Sequence, residues 1–430
     1  MKLFIILITL INFCYSQATS FSVYGVGERV NSNDPISIGI GSATFFSGNS
    51  KGINNDSSSS LWRSALTRFS IHSGINYLKV PGFSEQLQQN LTSFSVLFPV
   101  GNKKVFGFGL QPTFRTNSLN FSDDEFTYIG SDKSPTNEPI GYKSNYQIDG
   151  GISQIYFIYS QKINSNLSGG IKYAVLFGNQ IFNDELYTYD IVLDTVFTSG
   201  ILINEIQMDT TSLFVTAINA NMTAVNKHRE FKGSSIAFEA RYLSNKHEFV
   251  LNLLTYNKNR IITLIEQNIN NFISTNTTST YSEDYSSNFG FGYKYQISKK
   301  SGAIIELHNK SPFNIPKSAS IFRILPPKER SLHVGGFYRM QNSKIGFWNN
   351  ITYRFGAYSI NNIFSDAQYK NSGLTLGIGL EYLNNSQSAD IAIRFGNKES
   401  EMFKSKKENY ISFHIGLTTG EKWFMKRRRK

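Results

Sequence analysis

The chain has 430 residues and a formal net charge of +12, and 14% of its residues are aromatic whereas only 17% are charged. A single cysteine excludes the disulfide framework that stabilises small secreted domains. So many aromatic residues with so few charges are unusual in a soluble domain, but they suit aromatic girdles around a lipid-facing band. No Pro/Ser-rich linker or break in composition divides the chain, so we expect one large domain.

The N-terminus has the pattern of an export signal. Lys2 supplies a positive charge, and residues 3–13 form an unbroken apolar stretch. That stretch is shorter than the ~20 residues of a membrane-spanning helix, but it has the length of a signal-peptide core. Cys14 could instead be a lipoprotein acylation site, although the residues before it are not small. We predict a signal peptide over residues 1–16 and export to the cell outer membrane.

Residues 17–66 show no regular alternation of apolar and polar side chains. Short runs of small and apolar residues, such as 36–41 and 45–48, are interrupted by Asn, Asp and Ser. These runs cannot all face lipid. We therefore predict that this segment folds inside the rest of the chain and forms no part of a membrane-facing wall.

From residue 67 onward, apolar and polar residues alternate with a period of two, which places each set on one face of a β-strand. In residues 373–382, for example, aliphatic side chains oppose Gly, Thr and Glu. This pattern predicts fourteen strands. Their expected ranges are 67–78, 92–100, 104–115, 150–161, 167–180, 234–243, 246–257, 286–297, 301–309, 331–341, 345–357, 371–383, 387–397 and 409–418.

The connections between these strands alternate in length. Short turns rich in Gly, Asn and Ser, such as residues 101–104, suit tight turn geometry. Long polar segments lie between them, and the longest is 181–233. Short turns at one end and long loops at the other are typical of outer-membrane barrels. Residues 213–225 could add two wall strands, but we interpret 181–233 as a β-rich extension of an external loop.

The pattern predicts an all-β fold, a transmembrane antiparallel β-barrel of about 14 strands. The barrel spans residues 67–424, and residues 425–430 form a basic periplasmic tail. Large barrels leave a lumen that other groups occupy. Residues 17–66 are therefore expected to form an N-terminal hatch inside the barrel.

Charged residues on the polar strand faces are expected to point into the lumen. A Lys or Arg facing lipid at the bilayer midplane would cost roughly 2–4 kcal/mol, and charges of both signs can pair when buried. We favour a salt-bridged interior over a charged substrate path. The predicted lumen-facing charges are Lys172, Glu239, Arg241, Lys294, Arg354, Glu381, Asp390 and Arg394.

Other function classes find little support. The basic run at residues 426–430 could suggest nucleic-acid binding, but an exported protein seldom meets nucleic acid. We favour a solvated tail that lies near anionic headgroups or a periplasmic partner. The sequence has no His-Glu-x-x-His and no clustered Cys/His spacing. We expect no enzyme activity, no cofactor and no metal.

Both ends of the chain resemble the FadL/TodX family, outer-membrane transporters of long-chain fatty acids and aromatic hydrocarbons. Residues 39–43 and 46–48 carry this resemblance at the front. At the back, residues 408–417 and 421–424 resemble the closing strand of Bacteroidetes-type members. The family usually has Asn-Pro-Ala where hatch and barrel meet, whereas residues 62–65 here read Trp-Arg-Ser-Ala.

The resemblance implies passage of hydrophobic small molecules, gated by the hatch. We expect a monomer in contact with outer-membrane lipid, a hydrophobic ligand and the barrel-assembly machinery. The alternative is a non-transporting barrel that acts as a scaffold or shuttle for a secreted or surface partner. A transporter needs a continuous apolar path, and a scaffold needs a blocked lumen. Candidate path residues are Gly39, Gly41, Phe45, Phe46 and Trp62 in the hatch, with Phe114, Phe121, Phe126 and Tyr128 near the external mouth.

Overall fold

The structure is a computed structural model. It describes residues 27–30, 34–46, 56–79, 86–116, 121–128, 139–195, 213–257, 260–269, 272–282, 287–311, 328–341, 350–363, 368–382, 387–400 and 407–421. The predicted signal peptide and the basic tail lie outside the described residues.

The described residues contain two short helices, α1 (Pro35–Gly39) and a 3-10 helix (Ser58–Arg63), and neither is long and apolar enough to cross a membrane. All other regular elements are strands. In chain order they are β1 (Glu28–Arg29), β2 (Thr67–Lys79), β3 (Gln86–Val100), β4 (Lys104–Thr116), β5 (Phe121–Tyr128), β6 (Pro139–Lys162), β7 (Leu167–Thr195), β8 (Leu213–Ser244), β9 (His247–Tyr256), β10 (Arg260–Ile269), β11 (Phe272–Ser282), β12 (Ser287–Gln296), β13 (Ser301–Lys310), β14 (Lys328–Gln341), β15 (Asn350–Ile363), β16 (Gln368–Tyr382), β17 (Gln387–Ser400) and β18 (Lys407–Glu421).

Fourteen of these strands form a closed antiparallel barrel. Around the wall the order is β2, β3, β4, β6 to β9 and β12 to β18. The ring closes where β18 pairs with β2, from Asn409 opposite Lys79 to Glu421 opposite Thr67. The predicted fourteen-stranded barrel is confirmed, and each predicted strand range overlaps one wall strand.

The wall continues into a β-sheet at the end with long connections. β6, β7 and β8 contain 24, 29 and 32 residues, whereas about 9–11 residues cross the hydrocarbon core. β5 pairs with the far part of β6, and β10 pairs with both β8 and β11. Residues 181–195 and 213–233 therefore lengthen β7 and β8, which agrees with the loop-extension interpretation, and they add no separate wall strand. We call this six-stranded part the sheet extension.

Alternation along each strand separates an apolar outer face from a polar inner face. Leu376 is 55% exposed and Phe413 is 37% exposed, whereas Asp390 and His414 are buried inside the barrel. The outer face matches the hydrocarbon band of a bilayer, which accepts aliphatic and aromatic side chains. Further outward-facing examples are Leu374, Ile378, Phe395, Ile411 and Ile415.

Replacing Leu376 by arginine should destabilise the barrel in a bilayer. Leu376 lies at the middle of β16 with its side chain outside the wall, so the guanidinium would enter hydrocarbon. We expect Leu376→Arg to lower the free energy of unfolding in lipid vesicles by roughly 2–4 kcal/mol, as measured by denaturant titration. Leu376→Met is the matched control. Equal stability of the two variants would contradict the outward orientation of this face.

Candidate functional site in the barrel interior

The described residues before β2 contact the inner face of the barrel. We call its described residues, 27–30, 34–46 and 56–66, the N-terminal segment. At the end with long connections, the Val30 amide donates to the Thr113 carbonyl at 3.0 Å. At the end with short turns, the Trp62 amide donates to Ser160 Oγ at 3.1 Å. Described residues of the segment therefore lie near both ends of the barrel interior.

The first anchor of the segment lies near the long-connection end. β1 pairs with β4 through its backbone, and its side chains reach wall strands elsewhere in the barrel. Glu28 accepts from Lys398 at 2.6 Å and from the Tyr369 hydroxyl at 3.2 Å. Arg29 lies 3.6 Å from Glu329. Two residues thus connect four wall strands across the interior.

The second anchor depends on glycines that leave no space for a side chain. α1 ends against Gly335, Gly356 and Gly377 of the wall. A Cβ atom on Gly356 would lie 2.2 Å from the amide nitrogen of Gly41, and Gly41 itself has a φ of +82°. The Gly41 amide donates to Thr375 Oγ1 at 2.8 Å. The backbone of the segment therefore packs directly on the backbone of the wall.

The same region holds two of the predicted path residues in an apolar cluster. Phe45 and Phe46 are buried together with Ile40, Ala43, Val250, Ile304 and Phe337. Glu306 of β13 accepts from the Thr44 amide at 2.7 Å and the Phe45 amide at 2.8 Å. The carboxylate therefore satisfies two backbone donors that would otherwise be buried without partners.

The third anchor is an ion-pair network centred on Arg241 of β8, whose side chain is almost completely buried. Its guanidinium donates to Glu248 at 2.6 Å, to the Phe45 carbonyl at 2.5 Å and to Ser57 Oγ at 2.7 Å. Its Nε donates to Ser59 Oγ at 2.9 Å. One wall residue thereby holds both halves of the N-terminal segment.

Two carboxylates complete this network. Glu239 accepts from Ser57 Oγ at 2.6 Å and from the amide and hydroxyl of Ser59. Glu248 binds Arg63 at 2.9 Å and Lys294 at 2.5 Å. Charge-assisted hydrogen bonds of this kind are about twice as strong as neutral ones. The predicted charges Glu239, Arg241 and Lys294 therefore meet in one cluster that includes the segment.

The remaining predicted charges also lie on the inner face, but at other places. Arg354 pairs with Asp390 at 2.8 Å, and Glu381 pairs with Arg339 at 2.6 Å. Arg394 donates to Ser412 Oγ at 3.2 Å and lies over the rings of Tyr358 and Tyr410. Lys172 lies over the Tyr156 ring, 4.1 Å from its centroid.

The predicted path residues are not arranged as one continuous lining. Gly39 and Gly41 pack against the wall, whereas Trp62 is half-buried at the short-turn end, with the Lys162 ammonium 4.9 Å from its ring centroid. Phe114 is buried under Arg29. Phe121, Phe126 and Tyr128 lie on β5 in the sheet extension, and their side chains lie outside the described part.

Sequence reasoning missed several residues of the interior. Glu248 and Glu306 stand between outward-facing apolar residues of β9 and β13, so the alternation already placed them on the inner face. Ser57, Ser59 and Arg63 carry no comparable signal because they precede the regular strands. Within the described residues, no group of three His, Cys, Asp or Glu side chains could hold a metal ion.

Solved structures of other proteins share this barrel fold. The CymD monoaromatic hydrocarbon channel superposes with a TM-score of 0.51 at 10% identity, covering 95% of this chain and 100% of CymD. A FadL homologue of Pseudomonas aeruginosa gives 0.56 at 9% identity, covering 92% and 99%. The P. putida toluene transporter TodX gives 0.51 at 11% identity, covering 91% and 99%. These likenesses concern the fold, and they agree with the FadL/TodX resemblance at that level.

The family follows from the sequence itself. The family model described as BamG matches residues 1–430, so the chain belongs to the BamG family. No curated protein matches the chain.

Removing the central cation of the network should lower the free energy of unfolding much more than removing an exposed cation. Arg241→Met leaves Glu239 and Glu248 buried without their shared partner, and breaking a buried pair in this way costs about 3–5 kcal/mol. Lys407→Met is the control because Lys407 pairs with Glu399 at an exposed position, where the loss should stay below about 1 kcal/mol. Denaturant unfolding measures both. Similar small losses would show that the network does not stabilise the fold.

A methyl group on the wall under α1 should displace the segment. Gly356→Ala places Cβ against the Gly41 amide, whereas Gly169→Ala meets its nearest atom at 3.6 Å and is the control. A cysteine in place of buried Ser42 reports the displacement through its rate of modification by a water-soluble thiol reagent. We expect Gly356→Ala to raise this rate severalfold and Gly169→Ala to leave it unchanged. An unchanged rate in both would contradict the close packing.

Proposed function

We propose that the protein is a closed outer-membrane barrel that acts as a scaffold for a protein partner. The observation that carries this proposal is the Arg241 network, which fixes the N-terminal segment inside the lumen. A hatch that moves during each transport event would have to break buried ion pairs and leave charges without partners. The three anchors lie at different depths, so the segment serves as a fixed plug.

The sheet extension supplies the surface that a scaffold needs. β6, β7 and β8 continue beyond the membrane-spanning part as paired strands, and two further hairpin strands widen them. Paired strands hold their shape better than irregular loops because each backbone group keeps its hydrogen bond. The extension is a shaped surface at the end with long connections.

The family name indicates which kind of partner the scaffold would bind. BamG hints at a link to barrel assembly, which fits the barrel-assembly machinery as the partner of this scaffold. We also propose that the chain falls in the Bacteroidetes-type branch, which is supported by the resemblance of its closing strand at residues 408–417. The sheet extension would then stand beside an external part of that machinery.

A transporter of hydrophobic compounds, gated by the segment, is the second candidate. It is supported by the fold shared with CymD and TodX and by an apolar groove of about 450 Å³ in the wall. The groove lies between Ile171, Phe238, Leu251 and Leu253. Gly170 also lines the groove. A Cβ atom on Gly170 would lie 2.4 Å from the carbonyl carbon of Ser58, so the wall backbone packs directly on the segment there. A shift of the segment could open this part of the wall to lipid.

Conductance and uptake separate the two candidates. A fixed plug predicts little ion conductance in planar bilayers and no uptake of a labelled long-chain fatty acid or toluene in a transporter-deficient host. Deleting residues 17–60 should raise the conductance sharply, provided that heat-modifiable gel mobility shows a folded barrel. Uptake by the intact protein would support the transporter instead.

Site-specific crosslinking tests the scaffold directly. Ile181 is exposed on the sheet extension and Leu376 is exposed on the lipid-facing wall. A photo-crosslinking amino acid at position 181 should capture a subunit of the barrel-assembly machinery in cells. The same group at position 376 is the matched control and should capture mainly lipid. Capture from neither position, or from both equally, would contradict docking on the extension.

A further inference from the structure

A cavity of about 160 Å³ lies between the N-terminal segment and the wall. It has room for roughly five water molecules at the volume that water occupies in the liquid. Polar and charged side chains from several wall strands line it. Those that matter here are Lys172, Lys310, Asn288, Gln111, Thr113 and Asp56.

Three buried polar groups of the lining have an atom without a hydrogen-bond partner among the described residues. They are Asn288 Nδ2, Gln111 Oε1 and Thr113 Oγ1. The orientation of the Asn288 amide is determined, because its Oδ1 accepts from the Ser311 amide at 3.1 Å. Its NH₂ group is therefore a donor beside the cavity. Thr113 Oγ1 can also donate, whereas Gln111 Oε1 is an acceptor. Buried polar groups of either kind rarely stay unpaired, so each indicates bound water, an ion or a ligand.

The charge of the lining favours an anion. Lys172 makes no ion pair among the described residues. Its ammonium lies over the face of the Tyr156 ring, and Asp56 and Glu239 are the carboxylates that act on its charge. Lys310 and Arg29 share one carboxylate, Glu329, at 2.7 and 3.6 Å. Asp56 is the one carboxylate that lines this cavity within the described residues. The cavity is thus lined by three cations, Lys172, Lys310 and Arg29, and by one carboxylate, Asp56.

We propose that the cavity binds one small oxyanion of the phosphate or sulfate type. Lys172 supplies the charge, and Asn288 and Thr113 donate hydrogen bonds to the oxygens. Tetrahedral oxyanions suit this arrangement because they accept from several directions at once. The cavity is too short for a long acyl chain. The site is independent of the scaffold function, since its ligand would bind in the absence of any protein partner.

Equilibrium dialysis of the full-length mature protein in detergent tests the site. The probe is radiolabelled phosphate at constant ionic strength set by chloride, with sulfate as competitor. We expect one phosphate per chain, with a dissociation constant in the roughly millimolar range or tighter. Lys172→Met should weaken binding at least about tenfold, as expected for the loss of a charged hydrogen bond. Lys172→Arg should retain part of the affinity.

Two further variants complete the test. Asn288→Leu removes the second donor and should also weaken phosphate binding. Lys370→Met is the control because Lys370 is exposed on β16, and it should bind like the unmodified protein. Heat-modifiable gel mobility confirms that each barrel is folded. Absence of saturable phosphate binding, equal binding by Lys172→Met, or displacement by octanoate in preference to sulfate would overturn the proposal.

Discussion

A strand that crosses a lipid bilayer must pair both of its edges, because an unpaired backbone N–H or C=O group in hydrocarbon costs several kcal/mol. Fourteen strands meet this requirement here only because β18 returns to pair with β2. Closure then determines the chemistry of the two faces. Apolar side chains face outward, and the charged residues of the same strands enter a lumen that holds no lipid. A barrel of this size encloses more space than its own side chains fill.

The N-terminal segment fills much of this space, and two properties of the wall allow it. Glycines on the inner face, such as Gly335 and Gly356, let the segment approach the wall backbone closely. Carboxylates on the inner face bind its amides, hydroxyls and cations. Arg241 belongs to the wall, yet it binds three residues of the segment. Wall and segment therefore share one polar core, in which buried charges of each are paired with groups of the other.

The fold alone does not determine what such a barrel does. CymD and TodX share the architecture at 10–11% identity, and their names describe channels or transporters of aromatic hydrocarbons. This chain has the same wall, but its described interior is held together by ion pairs, and its cavity is lined by charged, polar and apolar side chains. The ion-paired interior and the sheet extension are the features on which the proposed scaffold function rests.

The sequence by itself determined the fourteen wall strands and their faces, but not the four further strands β1, β5, β10 and β11 of the described part. Alternation is a local property, because the side chains of residues such as Leu376 and Thr375 point to opposite faces whatever the rest of the chain does. The same pattern was sufficient to place Glu239, Arg241 and Asp390 on the inner side. It also held the information for Glu248 and Glu306, which stand at inward positions of β9 and β13.

Only the tertiary structure decided which of these residues meet. Arg241 and Ser59 are 182 positions apart in the chain, and no local pattern couples them. The sequence indicated β-rich structure in 181–233, but not that β7 and β8 themselves continue into it, because paired strands in water need no apolar face and so give no period-two signal. The position of the segment depends on the three-dimensional shape of the lumen. That shape exists only when the fourteenth strand has closed the wall.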